Sequence, residues 1–570
     1  MVRQFFKNST AILFKRQTTI ISAAAIMMVL VLASRILGLV RNRFLAHFFP
    51  VAALDAYRAA FLLPDLIANV LITGALSVAF IPIFTTYLNS KNEKEGWRVA
   101  SSVLNISLLF FAAAAVLLFI FASPLTENVV VPGFRSDPEK LALTVNLTRI
   151  ILLGEFLLII GSFFTSVLQS FHRFVISALA PVLYNLGIIA GILWLRPIPG
   201  FGLAGAAWGV VLGAILHVLV QFLLVRRLGF RYRFEFKLKD PGVLKIIKLS
   251  LPRAIGLGLG QAENWVSMFL ASLLVGGGFA GSVAILGFAA DIQNFPIGIF
   301  GITFATAALP TLSTEWAAGK IEDFKATFLS TLHQVLYLAV PLSVLFMVLR
   351  IPVVRIILGS GVFDWSSTVA TATATSYFAI GIFAQGALSL LIRAFYSLHD
   401  AATPLKVAAV SLIFHAAASS LLVFNIAKNA SIPVAFLALA ASITGIFNFV
   451  VLLYLLDKKV GGFDRVRLFL PAAKIFLSAG LMGVLLYLPL HLRFGGSYLI
   501  DRIIDTTRAF NLLVLTGAAF VFGLAIYVWL TWWLKSDELK AFVRLIPDVK
   551  ALQKFLVFEE KIEPSDTPTS

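Results

Sequence analysis

Apolar stretches of roughly 20 residues recur along the whole sequence, and each is long enough to cross a hydrocarbon core of about 30 Å as a helix. Inside lipid there is no water to pair with backbone N–H and C=O groups, so only helices and closed barrels span a bilayer. The stretches are long and do not alternate between polar and apolar residues, which excludes the strands of a barrel. The pattern therefore predicts an all-α integral membrane protein that crosses the membrane many times.

A window of the length used to detect transmembrane helices gives about fourteen spans. Only 13% of the residues are charged, whereas soluble proteins average about 25%, so the composition agrees with a chain that lies mostly in lipid. The approximate limits of the spans are 18–48, 54–87, 98–123, 139–170, 174–196, 202–226, 247–275, 281–313, 325–350, 367–394, 403–427, 431–456, 467–492 and 510–534.

The formal net charge of +18 could indicate a nucleic-acid partner, but the basic residues lie mainly in short loops, where they set orientation in the membrane. The opposite set of alternate loops is poorer, since 49–54 and 276–278 contain no basic residue. We therefore expect no nucleic-acid partner and both termini in the cytoplasm. The basic set comprises Lys91, Lys94, Arg98, His172, Arg173, the stretch from Arg226 to Lys248, Lys320, Lys325, Lys406, Lys458, Lys459, Arg465 and Arg467, against the exceptions Arg135, Arg196, Arg355, Lys428, Arg493 and Arg502.

Both ends of the chain carry polar segments. Residues 1–17 are basic and precede an apolar stretch, as in a signal peptide, but that stretch is too long and continues through Arg35 and Arg41. We interpret 1–17 as a cytoplasmic flank and 535–570 as a cytoplasmic tail, disordered beyond about Phe558.

Two pairs of segments indicate an internal repeat. Gly74–Phe84 is similar to Gly301–Leu312, and Gln169–Pro181 is similar to Arg393–Pro404, at nearly the same separation along the chain. The repeat predicts an N-lobe at 18–226 and a C-lobe at 247–456, each of six helices, joined by a basic linker at 227–246 and followed by two further helices at 467–534. Parallel repeats of this kind occur in alternating-access transporters. Chance similarity is the alternative, because proline-bearing segments are common in membrane helices.

The first span contains Ser34, Arg35, Arg41 and Asn42. Charged groups at membrane depth cost roughly 2.5–3.5 kcal/mol, so those that remain usually face a cavity or a partner. Residues seven apart lie on one helix face, which places Ser34 over Arg41 and Arg35 over Asn42. Guanidinium groups bind diphosphates in a bidentate manner, so these residues are candidate ligands for one. The alternative is that Arg41 extends with Arg43 to the membrane interface.

Further ionisable residues lie in other spans. Asp55 and Arg58 are three apart in the second span, where they either neutralise each other or face a cavity, and Arg253 lies in the seventh. Three acids and an amide form a second candidate set, in which the carboxylates either form a proton or cation site or serve as counter-ions to arginines. The members of this set are Glu155, Glu263, Asp291 and Asn294.

No catalytic or metal-binding constellation is present in the sequence. The chain has no cysteine, its seven histidines lack metalloprotease spacing, and no glycine-rich loop ends in Gly-Lys-Ser/Thr. We therefore predict a transporter that is not an enzyme and uses no cofactor, with the identity of any coupling ion left open.

Several motifs in order resemble the MurJ/MviN family over nearly all of residues 20–455. The motifs are Ala33–Leu45, Leu54 to Ala56, Phe61 to Pro64, Ala180–Asn185, Gly205–Gly213, Phe295–Gly301, Gly359–Phe363 and Arg393–Pro404. Members of this family flip lipid II, the undecaprenyl-diphosphate precursor of peptidoglycan, across the bacterial inner membrane. The resemblance implies fourteen helices, a central cavity for the headgroup and a groove for the lipid tail at 467–534.

The resemblance also implies a role in cell-wall biogenesis and cell shape, with lipid II, phospholipid and cell-wall synthesis enzymes as partners. It places the family's first-helix arginines on Arg35 and Arg41 and its second-helix aspartate on Asp55. Other family positions differ here, since an arginine pair falls on Ala68 and Asn69, a glutamate on Thr73, and an eighth-helix arginine on Asp291.

The cavity thus loses positive charge, and we expect Arg58 and Arg253 to compensate. Two alternatives to lipid II transport remain. One is an exporter of the same fold for a drug, a cation or an O-antigen-type lipid-linked oligosaccharide, which the acidic residues favour. The other is a scaffold for cell-wall synthesis that does not transport.

Overall fold

The computed structural model describes residues 20–71, 80–90, 92–237, 239–276, 279–491, 493–494, 497–498 and 509–540. This part of the chain is almost entirely helical, with one small antiparallel pairing of β1 (Arg493–Phe494) and β2 (Ser497–Tyr498). The helices are α1 (Ile20–Phe48), α2 (Val51–Ala60), α3 (Leu62–Leu71), α4 (Phe80–Asn89), α5 (Glu93–Ile120), α6 (Ala122–Leu125), α7 (Pro138–Ser170), α8 (Phe174–Ala190), α9 (Ala204–Arg227), α10 (Pro241–Gly276), α11 (Ser282–Pro296), α12 (Thr303–Ala317), α13 (Ile321–Val348), α14 (Arg350–Leu358), α15 (Trp365–Ala379), α16 (Ile382–Ser397), α17 (Ala402–Leu421), α18 (Ala435–Lys459), α19 (Arg465–His491) and α20 (Ala509–Trp533).

The predicted all-α membrane class is confirmed. Over the described residues, 10 helical segments are long and apolar enough to cross a membrane, and α15 with α16, bent by 45°, makes an eleventh. The three other predicted spans fall on α1, on α2 to α4 with the gap at 72–79, and on α10. The total of fourteen therefore stays a prediction.

We call α1 to α9 the N-lobe and α10 to α18 the C-lobe; the predicted domain boundaries themselves stay a prediction. Small residues let the helices of the N-lobe approach closely. A Cβ atom on Gly187 of α8 would lie 2.3 Å from Gly213 Cα of α9, and one on Gly191, in the helical turn that follows α8, would lie 2.4 Å from Gly209 Cα. Glycines four apart on both helices thus form the kind of contact through which membrane helices associate by packing rather than by the hydrophobic effect.

Equivalent loops in the two lobes have the same conformation. The turn after α7 contains His172 with φ 57°, and the turn after α16 contains His399 with φ 56°, both left-handed. In each case the next residue closes the helix end, since Arg173 N–H donates to Leu168 O and Asp400 N–H donates to Phe395 O. This geometry is the helix-ending Schellman motif. The shared motif agrees with the repeat expected from Gln169–Pro181 and Arg393–Pro404, whereas 74–79 of the other repeat pair lie outside the described residues.

Hydrophobic packing differs between the two ends of the molecule. At one end a single buried cluster contains residues of both lobes, and we call this the closed end. Toward the opposite end, the open end, one cluster consists mainly of N-lobe residues, with Val243 and Ile246 from the start of α10 packed into it. A separate cluster contains C-lobe residues together with residues of α19 and α20. The lobes therefore share an extensive core at the closed end, whereas at the open end the start of α10 packs against the N-lobe. Representative members are Leu45, Leu54, Phe134, Phe288, Leu358 and Phe363 for the closed end, Phe84, Val103, Phe163 and Phe230 for the N-lobe cluster, and Leu312, Phe328, Phe395 and Tyr527 for the C-lobe cluster.

Candidate functional site

Two adjoining cavities lie between the lobes. The larger, which we call the chamber, has a volume of about 670 Å³ and is lined by both lobes. The side cavity, of about 590 Å³, lies along α1. Both are bordered by Arg41, Asn42, Asp291 and Asn294, so these four residues stand where the two cavities meet.

Arg41 is held by neutral amide groups of its own lobe. Its guanidinium donates to Asn185 Oδ1 at 3.3 Å and to Asn42 Oδ1 at 3.2 Å. Asn185 in turn donates to Ser34 Oγ at 3.4 Å. Because amide partners orient a guanidinium without neutralising it, Arg41 keeps a full positive charge facing both cavities.

Arg35 lines the side cavity and lies between one and two helical turns from Arg41 along α1. It packs against the C-lobe, since a Cβ atom on Gly298 would lie 3.2 Å from Arg35 Nη2. Arg43 donates instead to the Ile356 carbonyl oxygen and borders neither cavity. The two predicted arginines of α1 are thus brought to the cavities and the third is not.

The carboxylate of Asp291 on α11 accepts hydrogen bonds from two side chains of the N-lobe. Its Oδ2 accepts from Arg58 Nη2 at 2.7 Å and from Asn42 Nδ2 at 2.9 Å, so a C-lobe carboxylate binds two N-lobe side chains. The Arg58 guanidinium also lies 4.8 Å from the centre of the Phe288 ring. Of the two interpretations of Asp291, the structure provides the arginine that the counter-ion interpretation requires.

Asp55 does not pair with Arg58 and lies outside both cavities. It is fully buried, and its carboxylate accepts from Gly281 N–H and Ala284 N–H, each at 2.9 Å, with Lys140 Nζ at 3.4 Å. These amides belong to the N-terminus of α11, where an acceptor satisfies otherwise unpaired N–H groups. The geometry gives Asp55 a structural role in joining the lobes at the closed end rather than the ligand contact expected from the sequence.

The C-lobe wall of the chamber contains a polar network that the sequence did not reveal. Glu263 accepts from Ser411 Oγ at 2.6 Å, and Ser411 accepts from Asn448 Nδ2 at 2.8 Å. His415 bonds Ser267 at 2.8 Å in the same wall. The partner of Glu263 here is a hydroxyl, so the structure supplies no arginine for the counter-ion interpretation of this residue.

Glu155 is buried within the N-lobe and has an unexpected partner. Its carboxyl group is adjacent to that of Asp65, which lines the chamber. The neighbour of Glu155 is therefore a carboxyl group, and the structure supplies no arginine for the counter-ion interpretation of this residue.

Of the remaining residues singled out from the sequence, the structure describes some and not others. Asn294 borders both cavities, whereas the side chain of Arg253 and the whole of Thr73 lie outside the described residues. Ala68 is buried in the N-lobe cluster and Asn69 lines neither cavity. In the described part of the chain, no three His, Cys, Asp or Glu residues are grouped so that they could hold a metal ion.

Sequence reasoning missed Asn185, Lys140 and Asn448 as functional residues. Asn185 closes the Ala180–Asn185 motif, and its position near the middle of an apolar helix was a usable signal. Lys140 and Asn448 gave no such signal, because their partners Asp55 and Ser411 lie on other helices.

Comparison with known proteins agrees with this arrangement. A family model described as "Lipid II flippase MurJ" matches residues 44–499. A "Probable lipid II flippase MurJ" of Buchnera aphidicola is 28% identical over 81% of this chain and 88% of its own length. Among solved structures, "Lipid II flippase MurJ, inward closed conformation" has a TM-score of 0.71 and 23% identity over 90% of this chain and 99% of its own.

A second solved structure indicates how broadly the architecture is shared. An inward-facing multidrug resistance MATE family transporter of the MOP superfamily has a TM-score of 0.61 and 16% identity, covering 75% of this chain and 94% of its own. Identities this low establish the fold alone. The family model, in contrast, spans most of the sequence, and the chain therefore belongs to the MurJ lipid II flippase family.

Proposed function

We propose that this chain translocates lipid II across the membrane by alternating access. The observation that carries the proposal is a chamber between two lobes that share a common core at the closed end. Arg41 lines this chamber with its guanidinium bonded to a neutral amide, and the adjoining side cavity contains Arg35. A lipid-linked diphosphate combines an anionic headgroup with an apolar tail. Guanidinium groups at membrane depth can bind the anionic headgroup, and the surrounding lipid can accommodate the apolar tail.

The headgroup would bind where the two cavities meet, with its diphosphate oxygens on Arg35 and Arg41. Translocation then requires the closed end to open while the open end closes. The inter-lobe hydrogen bonds that must break include those from Gly281 and Ala284 to Asp55, from Arg43 to Ile356, from Val362 N–H to His47 O at 3.1 Å, and from Trp265 to Val129 O at 3.1 Å.

We place the closed end on the outer face of a bacterial inner membrane. Support comes from the segments at 171–173, 228–237 and 239–240 of the open end, which belong to the basic set that the positive-inside rule assigns to the cytoplasm. With this orientation the termini are cytoplasmic. The chamber would then load from the side on which lipid-linked precursors with sugar headgroups are assembled.

The pair α19 and α20 would hold the lipid tail. Both pack on the C-lobe, where Tyr527 Oη donates to Tyr337 O at 2.9 Å, while large apolar side chains on their other faces are exposed. Phe469, Leu477, Phe522, Trp529 and Trp532 are among these exposed residues. Such a surface suits acyl or prenyl chains. The proposed activity is transport and requires no enzymatic reaction and no cofactor. Cell-wall synthesis enzymes are proposed partners in the same pathway step.

Two assays with one protein test the proposal. The full chain is expected to restore growth of a bacterium depleted of its own lipid II flippase, and to move fluorescent lipid II across proteoliposome membranes. A chain that is folded and inserted but fails in both assays would contradict the proposal. Failure in growth alone would point to a missing partner rather than to the wrong substrate.

The acidic C-lobe wall favours one second candidate, a cation exporter of the same fold. Glu263, with Ser411 and Asn448 beside it, offers oxygen ligands that a diphosphate would not use. Organic cations that compete with undecaprenyl diphosphate for purified protein, and that are themselves transported, would favour this candidate over lipid II.

A further inference from the structure

One face of α11 and of the helical turn after it is matched to the arginines of the N-lobe. Gly287, Asp291, Asn294 and Gly298 follow each other at intervals of four, three and four residues, which places them on one stripe. A Cβ atom on Gly287 would lie 3.2 Å from Arg58 Cδ, just as one on Gly298 would lie 3.2 Å from Arg35 Nη2. Each glycine thus forms a notch that receives an arginine, with the carboxylate of Asp291 between the two notches.

Asp291 occupies this position at the boundary of the chamber and the side cavity. Its Oδ2 holds Arg58 and Asn42, and Asn42 in turn accepts from Arg41, so the carboxylate is linked directly or through one amide to two guanidinium groups. The side chain is 31% exposed, so ligands in either cavity can reach it. A partly exposed carboxylate amid arginines is where an anionic ligand would also bind.

We propose that Asp291 acts as a built-in anion at the guanidinium site and makes it selective for diphosphate over phosphodiester headgroups. The inference rests on the proposed function, because it concerns the same site. A phospholipid headgroup with one net negative charge gains nothing electrostatically by replacing a carboxylate of equal charge, and it must break two hydrogen bonds that are already formed. A diphosphate carries more than one negative charge and can bind the guanidinium groups bidentately, so it can displace the carboxylate.

Selectivity of this kind matters in a bilayer, where phospholipid greatly exceeds any lipid-linked precursor. Displacement also has a mechanical consequence, because the bond from Arg58 to Asp291 joins the two lobes. A ligand that takes Arg58 away from Asp291 removes an inter-lobe contact, whereas a phospholipid that cannot do so leaves it intact.

The test measures binding of two lipids to purified full-length protein, undecaprenyl diphosphate and phosphatidylglycerol, in a zwitterionic detergent. For the unsubstituted chain we expect the diphosphate lipid to bind at least about tenfold more tightly. Asp291→Asn keeps the shape of the side chain but removes its charge. It is expected to raise affinity for phosphatidylglycerol about tenfold and to raise that for the diphosphate lipid less, so that the preference falls.

Two control variants separate position from charge. Glu263→Gln also removes a carboxylate from the chamber, but one bonded to Ser411, and is expected to leave the preference nearly unchanged. Asp291→Glu keeps the charge and is expected to keep most of the preference. Melting temperatures of all variants verify that each is folded.

The outcomes distinguish the two proposals. If Asp291→Asn binds both lipids with the same preference as the unsubstituted chain, or if Glu263→Gln loses the preference equally, the selectivity role of Asp291 is wrong and the proposed function stands. If the unsubstituted chain binds no diphosphate lipid, the proposed function itself is contradicted.

Discussion

The two walls of the cavities between the lobes differ in charge and in how their charged groups are held. On the N-lobe wall, Arg35 and Arg41 face the cavities, and the partners of Arg41 are uncharged amides. On the C-lobe wall, Glu263 and Asp291 are carboxylates, one bonded to a hydroxyl and one to an arginine. The N-lobe wall thus presents two arginines to the cavities as well as the carboxyl group of Asp65, whereas the C-lobe wall supplies carboxylates that are already engaged.

This contrast bears on the positions at which the family resemblance led us to expect arginines that the chain does not have. Asp291 stands where an arginine is expected, and Arg58 from the opposite wall lies against it. Within the described residues, this is the salt bridge that crosses between the lobes. The arginines at the cavities therefore lie on the N-lobe wall, and Asp291 of the C-lobe wall pairs with one of them.

Removing the cation shared by both cavities should have the largest effect. Arg41→Ala is expected to reduce lipid II translocation about tenfold to a hundredfold, because a charge-assisted hydrogen bond contributes about 1.5–3 kcal/mol. The measurement is the initial rate in proteoliposomes at equal protein content. Arg149→Ala is the matched control, since that arginine lies on α7 outside both cavities, over Phe119. Equal loss in both variants would mean that the position of Arg41 is immaterial.

A substitution at the closed end, away from both cavity walls, should change how often that end opens. Asp55→Ala leaves the N–H groups of Gly281 and Ala284 without their acceptor, at a cost of about 1–3 kcal/mol for each buried group. We expect the closed end to open in a larger fraction of molecules. Since the chain has no cysteine, spin labels on Val129→Cys and Val362→Cys report the distance across that end.

Asp364→Ala is the control for the loss of a helix cap. Asp364 accepts from Ser367 N–H at 2.8 Å, but its helix α15 lies in the C-lobe and the bond crosses no lobe boundary. This variant is expected to lower the melting temperature without changing the distance between labels. If it opens the closed end as Asp55→Ala does, the hydrogen bonds from Gly281 and Ala284 to Asp55 have no special role in holding that end closed.

Part of this site could be predicted from the sequence. Long apolar stretches required helices, because lipid leaves the backbone no other partners. Arginines within such a stretch had to find a cavity or the interface, and the seven-residue spacing of Ser34 with Arg41 and Arg35 with Asn42 described the face that the structure brings to the cavities.

The partners of those residues could not be predicted. The contact between Arg58 and Asp291 joins positions 233 residues apart, and that between Asp55 and Gly281 joins positions 226 apart. Within a single sequence, Asp55 and Arg58 at three residues apart looked like a pair, because local spacing was the visible constraint. Packing of α2 against α11 gave each a partner in the other lobe instead.

A double-mutant cycle tests the contrast by removing the ion pair between the two walls. Arg58→Ala leaves the Asp291 carboxylate with Asn42 alone, and Asp291→Ala leaves Arg58 without its counter-ion. Thermal unfolding of both single variants and of the double variant should give a coupling energy of about 1–2 kcal/mol, because both groups are partly exposed. Additive effects would show that the ion pair contributes nothing beyond its separate members.

The smallest expected effect concerns the notch that receives Arg35. Gly298→Ala would place a methyl group 3.2 Å from Arg35 Nη2, and the end of a flexible side chain can move by the few tenths of an ångström required. We expect translocation to fall about twofold, a cost below about 0.5 kcal/mol, with the melting temperature nearly unchanged. Gly256→Ala is the control, since its Cβ atom would make an ordinary contact with Leu405 at 3.6 Å and its position borders neither cavity. A tenfold loss at Gly298 would instead mean that Arg35 cannot move and is held as rigidly as Arg41. In that case the N-lobe wall would bind its ligand through a preformed site that includes both arginines. Arg41 at the cavity boundary and Arg35 in the side cavity would then not differ in mobility.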